Sequence, residues 1–425
     1  MRNPVKLAPW LGIHFRVLES PESPLYTLYA LYTLPAKHGV TRYLNRNGLY
    51  CAVMRVLLIS KACVVGAYQR KLEALAAHPD LTLTVAVPPE WRDGRSVTRL
   101  ERAYVTGYRL VVEPVRFNGH FHLHYYPRLG RLIAETQPDL VHLDEEPYNL
   151  ATWHAQRLAR RAGAKTLFFS WQNLRRNYPW PFSAFERAVL RDADAAIAGN
   201  AEAVSVWRAK GYTGPMPVIP QFGVDPELFA PRPNPPHPFS IGYAGRLAPE
   251  KGIDLLLRAA ATLPPDAHVR LIGAGPEQAR LAQLAEALGL AARVTFESAP
   301  SLEMPARLAA LDCLVLPSRT RPNWKEQFGR VLIEAMACGV PVIGASSGEI
   351  PNVIGDAGLL FPEGDVPALA AHLATLRANP AERAALGAKG RARVLAHYTQ
   401  AQVAAATLAL YRQVLSPHNN DVRNA

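Results

Sequence analysis

From Met54 onward the chain alternates short, continuous apolar runs with longer stretches whose apolar residues recur at helical spacing. "MRVLLIS", "LTLTVAV", "LVVEPV", "DLVHL", "KTLFFS" and "AAIAG" read as buried strands. Between them, "YQRKLEALAAH", "YPRLGRLIAETQ", "LATWHAQRLARRAG", "FERAVLRD" and "AEAVSVWRAKG" read as amphipathic helices. "MPVIPQFGVDPELFAPRPNPPHP" interrupts the pattern, and its Pro-dense end at 231–238 predicts an interdomain linker, since proline continues neither a helix nor a central strand. A second alternation follows, from "FSIGYAG" to "VPVIGA", and "YTQAQVAAATLALYRQVL" predicts a last helix that packs back across the hinge. Such alternation builds parallel sheets covered by helices, so the expected fold class is α/β with two Rossmann-like domains facing each other across a cleft.

The predicted organisation is an N-terminal extension at 1–53, one domain at 54–217, a second at 218–395, the returning helix at 396–416 and a tail at 417–425. Residues 1–53 are rich in Pro, Tyr and Arg without a sustained period of 2 or 3.6, which predicts a poorly ordered extension. Within it "LYTLYALYTL" is broken by tyrosines and lacks a small-residue cleavage site, so a cytoplasmic chain is expected.

Composition narrows the partners. The chain has 425 residues, 49% of them hydrophobic, enough for two cores. Its net charge of +12 comes from 47 cations spread along the sequence rather than gathered in one arm, which favours anionic small molecules or an anionic membrane surface over nucleic acid. The four cysteines show no metal-ligand spacing, and "GHFHLHYY" offers alternate histidines with no evident third ligand, so no metal site is expected. "GAGPEQ" lacks the third glycine of a dinucleotide fingerprint, which argues against NAD.

Two stretches carry candidate chemistry. In "YAGRLAPEKGIDLLL" a strand ends at Gly245 and the loop before the next helix carries Arg246 and Lys251, a pair of cations suited to a diphosphate. In "KEQFGRVLIEAMACGVPV" the residues Phe328, Gly329, Arg330 and Val331 open a helix whose free N–H groups favour an anion. Two acids bracket that helix start, Glu326 in the loop and Glu334 in its second turn, and the apolar neighbours of Glu334 place it against a core. "WQNLRRNYPWPFSAFERAVLR" interleaves arginines with aromatic rings, a composition suited to a lipid headgroup layer or to an aromatic acceptor pocket.

Taken in order, "VIPQFGVDPELFAP", "IGYAGRLAPEKGIDLLLRA", "VRLIGAGP", "DCLVLPS", the Glu-x7-Glu pattern with "FGRVLIEAMACGVPVIG", and "GEIPNVIGDAGLLFP" resemble the second lobe of the family 4 (group 1) glycosyltransferases, retaining enzymes of the GT-B fold. The resemblance implies transfer of a sugar from a nucleotide-sugar donor to an acceptor hydroxyl with retention at the anomeric carbon, without metal or other cofactor. It implies that Arg246 and Lys251 hold the donor diphosphate, that the backbone at Gly329 to Val331 contacts the donor, that Glu334 bonds the ribose and that Glu326 faces the sugar. In the first lobe, Gly66 stands where relatives often have a glycine pair near the donor phosphates. Asp144 stands where many carry a histidine, a candidate acid for orienting the acceptor hydroxyl. The acceptor, whether glycan, lipid or small molecule, is not encoded in these motifs. A GT-B epimerase or phosphorylase and a non-catalytic nucleotide-sugar binding protein are the alternatives.

Overall fold

A computed structural model describes residues 31–32, 42–44, 50–93, 96–233, 237–300 and 303–416. Parts of three sequence expectations, on the extension at 1–53, the linker at 231–238 and the tail at 417–425, lie outside the described residues. Within the extension, β1 (Leu31–Tyr32), β2 (Arg42–Leu44) and β3 (Tyr50–Ala52) pair antiparallel in that order.

The first lobe is a six-stranded parallel sheet. Its strands are β4 (Met54–Ile59), β5 (Leu81–Val87), β8 (Arg109–Val112), β9 (Leu140–Leu143), β10 (Lys165–Ser170) and β11 (Ala195–Ala198), in the order β11-β10-β9-β4-β5-β8. A hairpin of β6 (Glu90–Arg92) and β7 (Val97–Arg99), with no counterpart in the sequence reading, is inserted between β5 and β8. Helices α1 (Arg70–Ala76), α2 (Leu129–Thr136), α3 (Leu150–Arg161), α4 (Phe182–Asp192) and α5 (Ala201–Ala209) belong to this lobe. The central strands are mainly apolar because both faces of the sheet are covered: Leu57 and Val141 pack into one core, Leu58 and Leu140 into the other.

The second lobe repeats the plan with β12 (Phe239–Ala244), β13 (Ala267–Ile272), β14 (Val294–Glu297), β15 (Cys313–Leu316), β16 (Val342–Ala345) and β17 (Leu359–Phe361), ordered β14-β13-β12-β15-β16-β17. Its helices are α6 (Ile253–Ala260), α7 (Gln278–Ala287), α8 (Met304–Ala309), α9 (Arg330–Ala337), α10 (Ile350–Ile354), α11 (Val366–Ala378) and α12 (Pro380–His397).

The last helix, α13 (Gln400–Leu415), leaves the second lobe and completes a core of the first. Val403, Leu408, Leu410, Tyr411 and Val414 pack there with Leu72, Leu75 and Val85. Tyr411 Oη lies 2.6 Å from His142 Nδ1, and Arg412 Nε donates to Asp80 Oδ2 at 2.8 Å. At the crossing, Gln400 Nε2 donates to the Gly223 carbonyl at 2.8 Å.

In both sheets the strand order reverses next to the first strand of the lobe, between β4 and β9 and between β12 and β15. Such a reversal opens a crevice beyond the carboxyl ends of the strands, where ligands of open α/β sheets bind. The loops after β4 and β9 carry Ser60, Lys61, Asp144 and Glu145, and those after β12 and β15 carry Gly245, Arg246 and Ser318.

Candidate functional site

A cavity of about 330 Å³ lies at the second of these reversals. It is lined by Gly245, Arg246, Lys251, Glu326, Gly329, Val331 and Glu334, along with Tyr243 and Leu316 among others. Residues 88 positions apart thus meet around one concave surface, because β12 and β15 are adjacent strands whose ends deliver both loops to it.

The cationic side is asymmetric. Arg246 is exposed, while Lys251 is held by Glu326, with Nζ 2.7 Å from Oε2, and stands 4.6 Å from the centre of the Trp324 ring. Glu326 itself is 7% exposed and also accepts from Ser318 Oγ at 2.9 Å. Its backbone carbonyl accepts from Glu349 N at 3.1 Å and from Asn173 Nδ2 of the other lobe at 3.3 Å. Gly348 makes this arrangement possible: a Cβ there would fall onto the Glu326 carbonyl oxygen, and its φ of +53° is one L side chains rarely adopt.

The anion-binding side is the start of α9. Gly329 caps the helix at φ +76°, turning the chain so that Gly329 and Val331, at the positive end of the helix, line the cavity wall, while the Leu332 N–H is taken by the Gly329 carbonyl at 2.8 Å. A Cβ on Gly329 would press on Leu316 Cδ2 at 2.9 Å and Leu332 Cδ1 at 3.0 Å. One turn further on, the Glu334 side chain is 14% exposed and lies beside Arg330, with 2.8 Å between Oε1 and Nε. Burial raises the Glu334 carboxyl above the usual range, and Arg330 offsets part of that.

Four sequence-selected residues stand elsewhere. Phe328 packs between Trp171 and Tyr398, with ring centres 5.7 and 5.9 Å away, and so supports the lobe contact rather than lining the cavity. Arg330 reaches the cavity only through Glu334, its guanidinium lying 4.9 Å over the Tyr68 ring of the first lobe. The Gly66 N–H donates to Glu101 Oε2 at 2.6 Å, and a Cβ at Gly66 would collide with Ala103 and Glu101, so this glycine admits the 101–103 segment. Asp144 is buried with both oxygens engaged, by Ser60 Oγ at 2.6 Å and by Gln221 Nε2 at 2.9 Å. Burial raises its carboxyl, and buried Lys71 is the foremost opposing charge. Since Gln221 belongs to the connection between lobes, Asp144 anchors the hinge.

The first lobe has polar groups that the motifs did not single out. At the reversal between β4 and β9, Lys61 pairs with buried Glu145, and His124 Nε2 lies 3.4 Å from the other carboxylate oxygen. Burial would raise the Glu145 carboxyl, but Lys61 and His124 outweigh it and hold it at about 2. Its neighbour Glu146 accepts from Ser170 Oγ at 2.6 Å and Trp171 N at 2.8 Å, and burial pushes it up to about 7. His122 is ringed by Phe121, Tyr148, Tyr178 and Phe182, with ring centres 5.1 to 5.8 Å away. Ser318, at the end of "CLVLPS", could have been found from its position after a strand; Tyr68 carries no such signal.

The lobes touch through polar contacts made by the segment 323–327, which flanks Glu326. Lys325 Nζ lies 2.6 Å from Glu202 Oε1, Arg176 donates to the Asn323 carbonyl at 2.7 Å, and Asn200 donates to the Gln327 carbonyl at 3.1 Å. Among the described residues no group of three or more His, Cys, Asp or Glu is placed to hold a metal ion, and no helix is long and apolar enough to cross a membrane. Cys63, Cys313 and Cys338 are free and buried.

The family model for glycosyl transferases group 1 matches residues 224–393, and that for a glycosyl transferase 4-like domain matches residues 65–221. A GDP-mannose-dependent alpha-(1-6)-phosphatidylinositol monomannoside mannosyltransferase of Mycolicibacterium smegmatis is 31% identical over 356 residues, covering 77% of this chain and 89% of that protein. A D-inositol 3-phosphate glycosyltransferase of Mycobacterium marinum is 37% identical over 186 residues, but these are 41% of this chain and 38% of that protein. Among solved structures, Anabaena HepE in complex with UDP aligns with a TM-score of 0.65 at 20% identity, covering 85% of this chain and 100% of that one. A glycosyltransferase from Rickettsia africae aligns with a TM-score of 0.66 at 16% identity, covering 86% and 99%. With both lobes matched in order and a relative similar along most of its length, the chain belongs to the family 4 (group 1) glycosyltransferases and has their GT-B fold.

Proposed function

We propose that this chain transfers a hexosyl group from a nucleoside-diphosphate sugar to an acceptor hydroxyl, with retention at the anomeric carbon. The observation that carries this reading is the single cavity that gathers Arg246, Lys251, the start of α9 and two carboxylates. The diphosphate sits between the loop cations and the helix N–H groups, which stabilise the charge that develops as the sugar–phosphate bond breaks. Lys251, already oriented by Glu326 and Trp324, meets the phosphate without having to be ordered first. Glu334 takes the ribose hydroxyls, and Glu326 faces the sugar. The chemistry proceeds without a metal, and attack occurs on the face the leaving phosphate vacates, assisted by that phosphate.

The acceptor enters from the first lobe, past the aromatic group around His122. The mycobacterial relatives act on inositol-based acceptors by name, so a polyol ring, free or carried on a glycolipid, is the acceptor class this reading favours. Trp180 is 81% exposed within the stretch carrying Arg175, Arg176 and Arg187, which supports a cytoplasmic chain resting peripherally on the anionic inner surface of a membrane.

A thermal-shift panel of nucleotide sugars headed by GDP-mannose and UDP-glucose tests the donor. A ligand at 100 times its dissociation constant stabilises the protein by about 2.7 kcal/mol, a readily measured shift. No shift with any nucleotide sugar would refute the reading. Anomeric configuration of the product, read by NMR, decides retention.

A further inference from the structure

Arg330 and Glu334 make an unusual pair. Arg330 Nε comes within 2.8 Å of Glu334 Oε1, yet this buried nitrogen makes no hydrogen bond at an acceptable angle. An arginine beside a carboxylate ordinarily turns its fork to donate through two parallel N–H groups. Here the guanidinium lies instead over the ring of Tyr68, 4.9 Å from its centre. Tyr68 is in turn fixed by a parallel stack on Phe222 of the interlobe connection, with centres 4.0 Å apart and planes 10° apart. A continuous row thus runs from the hinge through the first lobe to a carboxylate lining the cavity of the second.

We propose that Tyr68 is a positioning residue for the donor site: by holding the Arg330 guanidinium on its ring face, it keeps Glu334 from being chelated and leaves that carboxylate free to accept the ribose hydroxyls. The proposal rests on the donor reading above. Tyr68 belongs to one lobe and Glu334 to the other, so the ribose contact is fully available only when the lobes are together. Without the ring, the guanidinium closes on Glu334 through two of its N–H groups and competes with the ribose. A cation over an aromatic face contributes modestly at such a half-exposed site, which sets the expected effect at about three- to ten-fold in affinity.

The test uses the full chain and four variants: Tyr68→Leu, Tyr68→Phe, Arg330→Met, and Tyr68→Leu combined with Arg330→Met. Calorimetry measures GDP, UDP and their 2′,3′-dideoxy analogues. Tyr68→Leu is expected to weaken the preferred nucleoside diphosphate about three- to ten-fold and to leave its dideoxy analogue unchanged. Tyr68→Phe keeps the ring face and restores binding. In the Arg330→Met background, Tyr68→Leu has no further effect, because no guanidinium remains to close on Glu334. Equal losses for the ribose and dideoxy ligands, or additive losses in the combined variant, would assign Tyr68 a merely structural part and overturn the proposal. If the unaltered protein binds neither GDP nor UDP, the donor reading itself fails and this proposal with it. Normal wild-type binding that is unaffected by Tyr68→Leu sinks this proposal alone.

Discussion

Lys251 and Glu326, 75 positions apart, meet with Nζ 2.7 Å from Oε2 at the wall of the cavity, while Arg246, on the same loop as Lys251, stays exposed. The two cations therefore respond differently to removal. Arg246→Ala should weaken nucleoside-diphosphate binding by roughly 1.5 to 3 kcal/mol, the range for hydrogen bonds to charged groups, with an unchanged denaturation midpoint. Lys251→Met should add a loss of stability of up to about 3 kcal/mol, because Glu326 is left largely buried without its partner. Urea titration beside calorimetry separates the two effects, and equal destabilisation by both variants would contradict the asymmetry.

The acids divide their work in a parallel way. Glu334→Gln should weaken donor and nucleoside diphosphate alike, since a ribose contact is present before and after transfer and contributes uniformly. Glu326→Gln should lower turnover far more than nucleoside-diphosphate affinity, since its own contact is to the sugar and the amide oxygen can still accept from Lys251. Paired titrations and a turnover assay read this, and a severe loss of nucleoside-diphosphate binding in Glu326→Gln would show the assignment to be wrong.

Much of this site was legible in one dimension. Strand ends, loop cations and a glycine before an apolar helix are local signals, and they identified Gly245, Arg246, Lys251, Gly329, Val331 and both acids. What stayed hidden depends on side-chain direction across long separations. Nothing near Gly66 announces that its N–H is taken by Glu101, 35 positions later. Nothing near Asp144 announces Gln221, nor does "FGRV" announce Tyr68. The β6–β7 hairpin was missed because its strands are short and carry polar residues on both faces, leaving no periodic apolar signal.

Gly348→Ala should be costly although the residue binds nothing. Its Cβ would displace the Glu326 carbonyl, and its backbone conformation disfavours any side chain. A loss of about 1 to 3 kcal/mol in stability is expected, together with reduced turnover as Glu326 shifts. An active variant with an unchanged urea midpoint would show that the loop gives way freely.

Glu146 supplies a pH signature. Its folded value of about 7, raised by burial, lies above the unfolded value of about 4.3. Folding therefore favours its protonated form, and its contribution to stability, complete below about pH 4.3, is lost as pH rises to about 7. Relative to the unaltered chain, Glu146→Gln should gain stability between pH 5 and pH 8. A difference independent of pH in paired urea titrations would place Glu146 in the ordinary carboxylate range.

Tyr411→Phe should destabilise the protein by about 1 to 3 kcal/mol, since it strips buried His142 of its partner at Nδ1. The affinity of the folded protein for nucleoside diphosphate should not change, because the pair lies beneath the first lobe's sheet and away from the cavity. Chemical denaturation and calorimetry together check both halves.

The position of α13 also governs how the molecule comes into being. A core of the first lobe contains Val403, Leu408, Tyr411 and Val414, so the strands of that lobe cannot finish packing until synthesis has passed α13. The second lobe, whose residues are contiguous up to α12, can close first. Synthesis from the N-terminus usually lets the leading domain fold ahead of those behind it. Here one face of the first lobe, built from residues 57 to 216, can pack early, whereas the other face stays uncovered until α13 arrives.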